Sequence, residues 1–75
     1  MKITKEQYQA LCEAKCWSDD REFHDLLKNI TGIEAKRFTG YQYFDSSGNY
    51  LGDISMYDCG GIRDILDNAY IEIEE

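Results

Sequence analysis

The hydrophobic period of this chain changes at Gly32, and that change limits the available folds more than any other feature. Before it, Phe23, Leu26, Leu27 and Ile30 follow the i, i+3, i+4, i+7 spacing of a helix with one buried stripe, and Gly32 is a natural terminator. After it, aromatic and β-branched residues gather around Asp45-Ser46-Ser47-Gly48, which has the chemistry of a type I turn followed by a left-handed glycine. A helical half joined to a hairpin half predicts an α+β fold.

Local signals fill in the other elements. Thr4 can cap a helix, Gln7 completes a capping box, and Ile3 with Tyr8 are spaced as a hydrophobic staple, so a helix is expected over Lys5 to Lys15. Ser18, Asp19 and Asp20 break it and start the next, with acids placed where a helix dipole favours them. Ile62, Ile65, Leu66 and Ala69 have helical spacing again, and Gly60-Gly61 before them imply a tight lead-in. Tyr70-Ile71-Glu72-Ile73-Glu74 alternates as a closing strand. The order is ααββαβ: a small three-stranded sheet, made of the antiparallel hairpin and the C-terminal strand, with three helices packed on one face.

The turn also sets a register. Asp45 opposite Asn49 pairs Phe44 with Tyr50, Tyr43 with Leu51, Tyr41 with Asp53 and Phe38 with Met56. Alternation then puts Phe38, Phe44, Tyr50, Ile54 and Met56 on the core face, and Thr39, Tyr41, Tyr43, Leu51, Asp53, Ser55 and Tyr57 on the other. Ile71 and Ile73 are expected in the core, with Glu72 and Glu74 outside.

Residues 1–75 are expected to form a single domain, because a chain this short buries only about 60% of its unfolded surface and cannot divide its core. A hydrophobic share of 43%, with ten aromatic residues, is too high for a disordered chain. Three cysteines and no apolar run after Lys2 argue against a secreted disulfide scaffold, so a reducing cytoplasm is expected, that of a host if the gene is carried by a phage. No stretch approaches the roughly 20 apolar residues of a membrane span.

The charge is unevenly placed. Residues 1–37 hold seven acids and seven bases, whereas residues 38–75 hold eight acids and one base, so the whole net charge of −7 belongs to the second half. Such a surface repels nucleic acid and anionic membranes and attracts a basic protein. Tyrosine offers large contact area at low entropic cost, and carboxylates pair with arginine and lysine. Tyr41, Tyr43, Asp53, Tyr57, Tyr70, Glu72 and Glu74 are therefore the candidate partner-binding residues.

Catalytic and metal signals are thin. Cys12, Cys16, His24 and Cys59 are the residue types of a Cys3His zinc site, but their spacing matches no finger pattern, and cysteine also serves as a small buried hydrophobe. Cys59 before Gly60-Gly61 could be activated at a helix N-terminus, yet its acidic neighbours disfavour a thiolate. No pair among the fifteen acids stands out for acid–base work. The Asp45–Asn49 loop lacks the ligand pattern of a calcium site, and Gly60-Gly61 lacks the lysine of a phosphate loop.

The expected function is that of a small acidic, non-enzymatic binding protein without a cofactor, monomeric or weakly dimeric. It would act as an inhibitor by occupying a basic, nucleic-acid-binding surface of a protein partner. In size and charge it is similar to the small acidic inhibitors of phages and mobile elements, including anti-CRISPR proteins and nucleic-acid mimics; an immunity protein against a basic toxin is a variant. Two other readings are an assembly subunit using the tyrosine face for homotypic contact, and a zinc-stabilised module.

Overall fold

The computed structural model describes residues 1–37, 40–54 and 61–74. Its elements run β1 (Lys2–Thr4), α1 (Lys5–Trp17), α2 (Asp20–Thr31), β2 (Glu34–Arg37), β3 (Tyr41–Phe44), β4 (Tyr50–Ile54), α3 (Ile62–Asn68) and β5 (Glu72–Glu74). The α+β architecture with three helices stands. None of those helices is long and apolar enough to cross a membrane.

Helix boundaries follow the expected chemistry. Thr4 Oγ1 accepts from the Gln7 amide at 3.1 Å while Gln7 Oε1 accepts from the Thr4 amide at 2.8 Å, a complete capping box. Asp19 Oδ1 caps α2 by accepting from the Glu22 amide at 2.8 Å. Gly32 ends α2 in the left-handed conformation, with φ of 80°.

Two short strands, β1 and β2, add to the expected order and redistribute the pairing. The antiparallel sheet runs β2-β3-β4, so the hairpin's third strand is β2 and not the C-terminal strand. β5 pairs in parallel with β1, with Lys2 opposite Glu72, Ile3 opposite Ile73 and Thr4 opposite Glu74. Ile3 explains that choice: it is fully buried and brings its strand with it, offering β5 an apolar partner at the chain's start. β2 pairs antiparallel with β3, with Glu34 opposite Phe44 and Arg37 opposite Tyr41.

The hairpin turn forms as expected. Gly48 has φ of 87°, its amide donates to Asp45 O, and the Asp45 amide donates to Asn49 O, each at 3.0 Å. Phe44 pairs with Tyr50. A bulge then shifts the register, so Tyr43 faces Gly52 instead of Leu51, and Tyr41 faces Ile54 instead of Asp53. The expected Phe38–Met56 pair lies outside the described residues.

Independently of that shift, the inward and outward faces near the turn are the reverse of those expected. Tyr43 is fully buried and Leu51 nearly so, whereas Tyr50 is exposed and Phe44 half-buried. Tyrosine enters a core when its hydroxyl finds a partner. Here Tyr43 Oη lies 3.0 Å from His24 Nε2, and its ring meets Phe23 edge-on at 6.5 Å. The hydroxyl that made Tyr43 look like a surface residue is thus satisfied inside. Gly52, on the same face, gives α3 room to approach: a Cβ there would lie 3.2 Å from Ile65 Cδ1.

The core joins Ile3, Leu11, Phe23, Leu27, Ile33, Tyr43, Leu51, Ile62, Ile65, Leu66 and Ile71 into one cluster. Lys15 enters it as well, with only 1% of its side chain exposed; its Nζ lies 3.8 Å from Asp20 Oδ1 and 5.9 Å from the centre of the Phe23 ring.

Candidate interaction surface

The turn from α3 into β5 joins two elements that carry exposed acids, Asp64 and Asp67 on the first and Glu72 and Glu74 on the second. The Tyr70 amide donates to Asp67 O at 3.0 Å and the Ile71 amide to Leu66 O at 2.9 Å. These two bonds make a Schellman stop, in which Leu66 and Ile71 are buried below the turn. The left-handed position, usually glycine, is held by Tyr70 with φ of 58°, and its side chain is 88% exposed.

The apolar spacing of the two elements fixes which of their residues are exposed. Ile62, Ile65 and Leu66 turn the inner face of α3 into the core, so Asp64 and Asp67 lie on the exposed side. Ile71 is buried and Glu72 and Glu74 are exposed, as the alternation requires. Arg63 is drawn toward α1, where its guanidinium lies 5.8 Å from the Tyr8 ring. Lys2 Nζ stands 4.0 Å from Glu72, an exposed pair that is readily screened.

The structure separates the sequence-derived candidates. Tyr70, Glu72 and Glu74 share the β5 end. Asp53 is exposed on the outer face of the antiparallel sheet, where its Oδ1 accepts from the Tyr50 hydroxyl at 2.5 Å, and that bond holds the phenol above its ordinary pKa. Tyr41 is half-buried with its ring 4.5 Å from that of His24, and Tyr43 is inaccessible. Both were expected on an open face, and Tyr43 is withdrawn from the candidates for that reason. Tyr57 lies outside the described residues.

The outer sheet face is mixed in charge: Lys36 Nζ sits 5.0 Å from the centre of the Phe44 ring, which packs at 5.7 Å against Tyr50. Sequence reasoning missed Asp64 and Asp67 as surface candidates, although their three-residue spacing opposite Ile62 and Ile65 was visible. It also missed the polar group around Tyr43, where Lys15, Asp20 and His24 come from two helices. Burial holds the His24 imidazole below its ordinary pKa, with Asp20 and Asp25 pulling up and Lys15 pushing down.

Three of the four residues of the zinc reading, Cys12, Cys16 and His24, are among those described. Among the described residues no three His, Cys, Asp or Glu side chains come together to hold a metal. Cys12 is half-buried, Cys16 exposed, His24 is engaged by Tyr43, and Cys59 lies outside the described residues. Comparison with known protein families, with curated proteins and with solved structures finds no match.

Proposed function

We propose that this protein is a small acidic, non-enzymatic binding protein whose α3–β5 end occupies a basic surface of another protein, one that otherwise receives nucleic acid. It would then act as an inhibitor by competition, in the manner of phage and mobile-element anti-defence proteins of the anti-CRISPR kind. The observation that supports this reading is the run of exposed carboxylates on α3 and β5, Asp64, Asp67, Glu72 and Glu74, with the exposed Tyr70 in the turn that joins the two elements. Their backbone is fixed by buried neighbours and by the Schellman turn, so little ordering remains to be done on binding. Clustered charge of one sign also accelerates encounter with a surface of the opposite sign.

The test is capture of the partner from a host-cell lysate at low and high salt, with an oligonucleotide as displacer. Captured protein should elute with salt and with nucleic acid, and the double variant Asp64→Lys/Glu74→Lys should bind at least about tenfold more weakly, about 1.4 kcal/mol. Both positions are exposed, so the fold should persist, as circular dichroism would report. Unchanged binding by that variant would overturn the proposal.

A further inference from the structure

The antiparallel sheet buries one face and leaves the other exposed. Inward, Tyr43 meets Phe23 and Gly52 lies against Ile65, so α2 and α3 cover that side. Outward, Glu34, Lys36, Tyr50 and Asp53 are exposed, and Gln42 and Phe44 half-buried. Strand pairing sorts these residues into two rows that cross the sheet: Glu34, Phe44 and Tyr50 in one, Lys36, Gln42 and Asp53 in the other. The first row has an aromatic centre, with the Phe44 and Tyr50 rings 5.7 Å apart. The second has a cation on β2, a neutral amide on β3 and an anion on β4. Both of its charges are held by that aromatic pair, Lys36 Nζ at 5.0 Å from the centre of the Phe44 ring and Asp53 Oδ1 by the bond it accepts from the Tyr50 hydroxyl at 2.5 Å.

We infer that a second copy of this chain covers this face, in a two-fold dimer whose axis runs along β3, between the two sheets. Rotation about that axis keeps the position along the strands and exchanges β2 with β4. Each Lys36 therefore comes over the partner's Asp53, and each Asp53 over the partner's Lys36. Phe44, near the axis, meets its own copy with Tyr50 beside it, and Gln42 pairs amide to amide. A two-fold contact must be self-complementary, and opposite charges on either side of a neutral middle strand meet that requirement. A face made for a basic partner would carry acids on both sides instead. The aromatic centre within a charged rim matches the general anatomy of protein interfaces. Three strands of four or five residues span only about 15 Å, so the contact falls at the small end of specific interfaces and the dimer is weak. The inference is independent of what the α3–β5 carboxylates bind, because α3 packs on the opposite side of the sheet.

The experiment is sedimentation equilibrium at low salt, up to millimolar chain. Wild type should associate to a dimer, and Lys36→Asp and Asp53→Lys should each associate at least about tenfold more weakly, because like charges then meet twice in every dimer. Asp53→Lys lowers the net negative charge, so general repulsion between copies predicts the opposite change. An equimolar mixture of the two variants should associate as wild type does, since each contact again joins an acid to a base, and so should the double variant Lys36→Asp/Asp53→Lys. Both positions are exposed, and circular dichroism checks that the variants fold. Asp64→Lys/Glu74→Lys should dimerise at least as well as wild type while losing the basic partner, which separates this inference from the acidic-binder reading. A wild-type chain that stays monomeric, a mixture that associates no better than its components, or loss of the dimer in Asp64→Lys/Glu74→Lys would overturn the inference.

Discussion

The hydroxyl of Tyr43, on a side chain with no solvent exposure, lies 3.0 Å from Nε2 of His24 and ties the middle of β3 to α2. Replacing Tyr43 by Phe keeps the ring between Phe23 and His24 but leaves the imidazole without that partner. The expected cost is about 1 kcal/mol. Tyr43→Ala removes the ring as well and should cost about 3–5 kcal/mol. Urea unfolding of both variants measures the difference; equal losses would mean that the hydroxyl contributes most of the effect and the ring little.

Stability should fall as the solution is made mildly acidic. Burial lowers the His24 pKa in the fold, so the unfolded chain, titrating near 6.5, takes up its proton first as pH drops. The contribution of His24 is therefore fully present above about pH 6.5 and is lost as pH falls through its folded value. Urea midpoints measured between about pH 7.5 and pH 5 should decline, and His24→Gln should flatten the decline. An equally steep profile in the variant would assign the effect to other groups. Asp45 acts in a lower window: bonds from Asn49, and then from Ser47 and Gly48, hold its carboxyl below the ordinary range, so its contribution is lost only at more acid pH.

Tyr70→Gly should stabilise the isolated protein by about 1 kcal/mol, by removing a Cβ from a left-handed position. A thermal melt reads this as an increase of about 4–8 °C for a domain of this size. No increase would mean that the exposed ring has a structural role in the free protein.

Gly52→Ala should do the opposite. Its φ of 133° is closed to most L-residues, and a Cβ there would press on Ile65 Cδ1 at 3.2 Å. A loss of more than about 1 kcal/mol is expected. Combining it with Ile65→Val should recover part of the steric share but none of the backbone share, so a double-mutant cycle separates the two.

The helices and the hairpin turn were legible because their determinants are local: Thr4 with Gln7, Asp19 with Glu22, Gly32, and Asp45 with Gly48 all act within a few residues. The inward face of the hairpin was not: Tyr43 and Leu51 share one face and Phe44 and Tyr50 the other, as alternation requires, but which pair enters the core is decided by the elements packed against the sheet. Tyr43 was misplaced for a second reason, since the partner that permits its burial, His24, stands 19 positions away on another element. Of the candidate surface, the exposure of Glu72 and Glu74 followed from alternation. The prominence of Tyr70 did not, because nothing local announces a tyrosine in a glycine's place.

The β1–β5 pairing has a consequence for the order in which the molecule assembles. Ile3 and Ile73 are opposite each other although 70 residues apart, and closing a loop of that length costs about 4 kcal/mol of chain entropy before any contact offsets it. During synthesis Ile3 therefore waits, apolar and without its strand partner, until nearly all of the described chain has been made. Native-state hydrogen exchange should find the amides of this parallel seam opening more readily than those of α2 and β3, where Leu27 and Tyr43 lie at the centre of contacts formed between nearer neighbours. β5, which carries Glu72 and Glu74, thus lies in the seam expected to close last, and these carboxylates take their places only when β1 and β5 have met.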